Sequence, residues 1–138
     1  MAEQARSRAL DSWNYAAPFA RYHIHWHEGD APPAFEQGQA VAIAQQDLAL
    51  TGALDLLAQR AVLVTFSSEH LSVSGRPAER VPAWVVILAG IKCAGAPADG
   101  PLASIAPGGG VVIQCLIHAH TGELLLGTAI PVTLRVGA

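Results

Sequence analysis

The chain has 138 residues, 51% apolar and 14% charged, with a formal net charge of −3. That length bounds one domain with room for a real core. The eight Lys and Arg are scattered rather than clustered, which excludes phosphate-driven nucleic-acid binding, and no window reaches the ~18 to 20 uncharged apolar residues of a membrane span.

A charged fraction well below the roughly 25% of soluble domains leaves neutral or apolar surface exposed and predicts a homo-oligomer. In chain order, Met1 to Arg6 lacks the basic-then-apolar layout of a signal peptide. Two compartments stay open: the cytoplasm, or an exterior reached with a leader removed upstream. Residues 3 to about 14 read as a short helix with Ala5, Ala9 and Trp13 on one face, ended by Pro18. Tyr22-His23-Ile24-His25-Trp26-His27 alternates with period two, the mark of a half-buried strand whose Tyr22, Ile24 and Trp26 face the core and whose histidines face outward. A loop follows over Glu28 to Pro33.

From Glu36 to Arg60 the spacing turns helical, through Ala40, Ile43, Ala44 and Leu48, then Leu50, Leu54, Leu57 and Ala61. Thr51-Gly52 predicts a break, with Thr51 capping a second, shorter helix. Ala61 to Phe66 is a β-prone run, and Ser72-Gly75-Arg76-Pro77 begins a polar connection. Pro82 opens a long apolar strand, Ala83 to Cys93. It pairs antiparallel with a second, Val111 to Ala119, across a loop rich in Gly and Pro from Ala94 to Gly110 that is mobile or makes a contact. Leu124 to Leu126 and Ile130 to Leu134 add short edge strands, for which Pro131 is suited.

The alanine-rich run Gln39 to Ala44, the strands Val62 to Phe66 and Pro82 to Leu88, and the closing Ala119-His120-Thr121-Gly122-Glu123 resemble the PepSY-like domains of bacterial exported proteins over about residues 36 to 126. His118 departs from the Asp usual before the final Ala-x-Thr-Gly. The resemblance implies an α+β fold with a helix packed on a curved antiparallel sheet of three to five strands, cystatin-like. It also implies an extracytoplasmic setting and a protein-binding or peptidase-modulating role. It supplies no catalytic residues. On this layout residues 1–138 are a single domain, with the helix and histidine strand of residues 1–30 appended to a core over 36–126.

His23, His25 and His27 project from one strand face about 6.5 to 7 Å apart, close enough for adjacent pairs to share a metal with Glu28 or Asp30 nearby. A plain solvated strand face is the competing reading. His118 and His120 offer a second pair, or simply a polar strand end. With Cys93 opposite Cys115, Ile91 meets Ile117 and Ala89 meets Ala119, so face parity admits a disulfide; otherwise both are small buried thiols. Trp13, Trp26 and Trp84 are core anchors. Asp47 and Asp55 belong to helix exteriors, and neither paired carboxylates nor a nucleophile with its base stand out. No cofactor is expected. A non-enzymatic protein- or peptide-interaction domain is the leading expectation, with a small-ligand binder in the helix-sheet concavity and a metal protein as alternatives.

Overall fold

The computed structural model describes residues 23–27, 32–96, 100 and 102–132. The helix expected over residues 3 to 14, Tyr22, the Glu28 to Asp30 carboxylates and the side chain of Trp26 lie outside the described residues. The elements are β1 (His25–His27), α1 (Gln37–Asp47), β2 (Leu54–Val73), β3 (Arg76–Lys92), β4 (Gly110–His118) and β5 (Leu124–Val132). All strand pairs are antiparallel and the sheet runs in sequence order, β1-β2-β3-β4-β5.

This corrects the expected α+β, cystatin-like layout. Four long strands and the three-residue β1 make up 56% of the described residues, against 11% in the one short helix. The described part of the chain is nearly all sheet. Helical spacing is sound only as far as Asp47. There the chain leaves α1 through Leu48, whose N–H bonds the Ala44 carbonyl, and Ala49, which takes a left-handed φ of 52°. The second helix expected from Leu50, Leu54 and Leu57 is the start of β2, and Asp55 is accordingly a strand residue. The misreading has a physical cause. Leu56 pairs with Gly90 and Ala58 with Ala89, so Leu57 is the extra residue of a β-bulge. One inserted residue turns a spacing of two into three, which imitates a helical step.

β3 is the centre of the sheet. Trp84, Val85 and Val86 are buried in succession, so both faces are covered, as a continuous apolar run requires. One face carries Trp84, Val86, Leu88, Ile113, Cys115 and Ile117 together with Ala40, Val41 and Ala44 of α1. The other gathers Val64, Phe66, Ala83, Val85 and Leu116, with Leu71, Ala78 and Val81 at the far end of the β2–β3 hairpin. That hairpin replaces the expected polar connection. Val73 stands opposite Arg76 across Ser74-Gly75, whose φ values of 54° and 79° are those of a type I′ turn. Pro82 therefore lies inside β3 rather than at its start. Its carbonyl accepts from Ala119, so its missing N–H faces β4 just past that ladder's end and no strand bond is lost. Pro131 sits on β5, an edge strand as expected.

The expected register between β3 and β4 is also corrected. Cys115 stands opposite Val86, an odd number of positions from Cys93, and both cysteines are free thiols. Cys93 lies beyond the end of β3 and its N–H bonds the Ala53 carbonyl. Burial, helped by Asp47, pushes the Cys115 thiol up to about 12, which makes it unreactive.

The loop after β3, which the sequence suggested is mobile or makes a contact, makes one at Leu102 and Ile105. The buried Lys92 ammonium donates to the carbonyls of Leu102 and Ile105, each at 2.8 Å, and both side chains enter the core. Lys92→Met strands these carbonyls, and we expect a loss of about 1–3 kcal/mol, read from denaturant midpoints. A Cβ at Gly90 would collide with the Asp55 carbonyl beside the β2 bulge. Gly90→Ala is expected to cost about 1–3 kcal/mol, whereas Leu57→Ser on the exposed bulge changes the same midpoint by less than about 0.5 kcal/mol.

Candidate functional site

β1 docks on β2 with His25 opposite Ser67 and His27 opposite Thr65. Ile24 is half-buried against the second core cluster while His23 and His25 are exposed, so the alternation read from the sequence holds at these positions. Beside this strand an open groove of about 1250 Å³ lies over the distal half of the β2–β3 hairpin. Val73, Pro77, Ala78 and Val81 supply its apolar part, and His23, His25, Glu69, His70, Arg76 and Glu79 its polar part. Register shifts between Phe66 and Ser68 and between Ser68 and Ser72 interrupt the ladder here. Such irregularities bend a strand and re-aim its side chains.

Two imidazole pairs form at the groove and its border. His23 lies 5.2 Å from His70 between ring centroids, and His25 lies 4.8 Å from His27. The three strand histidines thus separate: His23 turns toward β2, while His27 Nε2 stands 2.6 Å from Ser67 Oγ. That hydroxyl also accepts the Arg80 N–H at 2.9 Å, which ties β1 to both long strands. Burial, with help from Arg80 and His25, lowers the His27 pKa. Among the described residues no three His, Cys, Asp or Glu side chains are grouped to hold a metal ion.

Backbone strain gathers at the same end of the molecule. His23, with φ 49°, lines the groove, and Arg80, with φ 46°, sits between two lining residues. Left-handed conformations in non-glycine residues cost on the order of 1 kcal/mol or more and cluster where structure serves a site. Glu69, His70, Arg76 and Glu79 were not singled out from the sequence. The Ser-Gly dipeptide between β-prone runs was the available signal for the hairpin that brings them together.

His118 ends β4 and His120 follows in the turn beyond it. Their rings are 5.9 Å apart, but His118 Nδ1 accepts the backbone N–H groups of His120 and Thr121 at 3.1 and 3.3 Å, and His120 Nε2 lies 2.9 Å from the Pro32 carbonyl. An acceptor nitrogen must be unprotonated. The His118 pKa is lowered accordingly, by burial first and by His120 next, with Glu123 opposing. Between helix and sheet, α1 packs Ala40, Val41 and Ala44 into the core, and Leu48 reaches within 3.5 Å of where a Cβ on Gly127 would stand.

The sign of the pH dependence follows. A histidine whose folded pKa lies below its ordinary 6.5 favours the neutral form in the native state. Its contribution is whole above pH 6.5 and is lost as pH falls through the lowered value. We expect urea midpoints to drop between pH 7 and 5, and the drop to shrink in His118→Asn, which keeps an acceptor at the turn but does not titrate. An equal drop in that variant would remove His118 as a source.

Comparison with protein-family models, with curated proteins and with solved structures returns no significant match. No helix among the described residues is long and apolar enough to cross a membrane.

Proposed function

We propose that the chain is a non-enzymatic interaction domain that takes an extended peptide segment in the groove over the β2–β3 hairpin. The observation that carries this reading is the groove's make-up: the apolar side chains of Val73, Pro77, Ala78 and Val81 set among imidazoles, two carboxylates and one guanidinium. Apolar area supplies affinity, and sparse polar groups of both signs fix orientation and select side chains. The strained residues His23 and Arg80 at this end support it. A peptidase-modulating role, implied by the PepSY-like resemblance, is a narrower form of the same reading.

Panning a displayed peptide library against the protein tests it. We expect enriched peptides whose affinity falls at least about tenfold, or 1.4 kcal/mol, in His70→Ala/Val73→Ser with the fold intact. No enrichment, or binding indifferent to those positions, would overturn the proposal. A second reading, metal binding, rests on the His23–His70 and His25–His27 ring pairs; titration with zinc, followed by calorimetry, separates it from the first.

A further inference from the structure

We infer that the chain pairs with a second copy of itself, edge to edge along the first half of β2, about a two-fold axis beside the Leu57 bulge. This surface is separate from the groove.

Among the described residues β1 covers only Thr65 to Ser67 of the outer edge of β2, which leaves Leu54 to Val64 with no strand on that side. The direction of the backbone groups can be worked out. The Pro82 carbonyl bonds Ala119 and so points to β4, which turns its neighbour Ala83 toward β2, opposite Val64. Alternation then turns the N–H and C=O of Leu63, Ala61 and Gln59 outward, and across the bulge those of Leu56 and the C=O of Leu54. The Leu54 N–H is already given to Leu50. Open polar edges of this kind are templates for another strand.

The edge is also complementary to itself. Residues 57–60 are exposed in succession, and Leu57 is 56% exposed, a large apolar side chain with no core role. Asp55 stands opposite Ile91 and Arg60 opposite Ile87, so the two charges lie on the same sheet face, and neither forms an ion pair with a described residue. Residues five apart share a face only because the bulge adds one. With the axis between Leu57 and Ala58, Asp55 of each copy meets Arg60 of the other, Leu56 meets Gln59, and Leu54 meets Ala61. Every such pair matches in face, and Leu56 and Gln59 present outward backbone groups to one another. Two cross-strand charge pairs then fix the register, and the two-fold axis closes the assembly at a dimer.

Sedimentation velocity over a micromolar concentration series tests this. The wild-type chain is expected to be a dimer at tens of micromolar. Arg60→Asp should raise the dissociation constant by about tenfold, and Asp55→Arg/Arg60→Asp should restore it. Gln59→Pro, which deletes an outward N–H and leaves the β3 ladder intact, should give a folded monomer by circular dichroism. A wild-type monomer, an open-ended polymer, or a charge swap no tighter than the single reversal would overturn the inference.

Discussion

The structure depends on β3 being covered on both faces. A strand that buries Trp84, Val85 and Val86 consecutively needs a layer above and below, and the chain supplies them asymmetrically. On one side α1 and the Leu102–Ile105 turn close over Trp84, Val86 and Leu88. On the other, Val64, Phe66, Leu116 and the distal hairpin enclose Ala83 and Val85. Register follows from the same constraint, because a slip of one position would exchange the two faces of every residue. The end of β3 is fastened twice more, by Gly90 against the Asp55 carbonyl and by Lys92 holding the loop carbonyls. A buried ammonium is tolerable there because charge-assisted hydrogen bonds replace part of its hydration.

What interrupts the ladder matters as much as what continues it. β2 carries its irregularities at Leu56/Ala58, Phe66/Ser68 and Ser68/Ser72. The first places Leu57 in solvent on an edge without a partner strand among the described residues. The later two bend the hairpin where the groove opens, and the left-handed residues His23 and Arg80 border it. A regular twenty-residue strand would offer neither feature. Bulges at edges and sites are therefore better read as built features than as faults in pairing.

The histidines show how one residue type serves different ends according to its surroundings. At the close of β4 an imidazole acceptor ties a turn through His118 Nδ1. On β1 the Ser67 hydroxyl joins His27 to the Arg80 backbone and binds a short strand to a long one. Both rings have lowered pKa values, led by burial. His23, His25 and His70 are instead presented at an open groove, available to something outside the chain.

Local pattern was enough to find the start of the helix near Gln37, though not its end at Asp47, and the turn at Thr51-Gly52, the outward face of His23 and His25, the two apolar strands and the edge position of Pro131. Each rests on neighbours a few residues apart: a period of two or of about four, a residue that cannot donate, a glycine at a turn. The sheet-dominated architecture of the described residues was not legible, because a bulge at Leu57 writes a helical interval into a strand. Nor was the register that sets Cys115 against Val86, since face parity admits several pairings and only two-sided packing around β3 chooses among them. The groove was out of reach for the same reason. His23 and His70 are far apart in the chain, and only the pairing of β1 with Thr65, Phe66 and Ser67 brings their rings together.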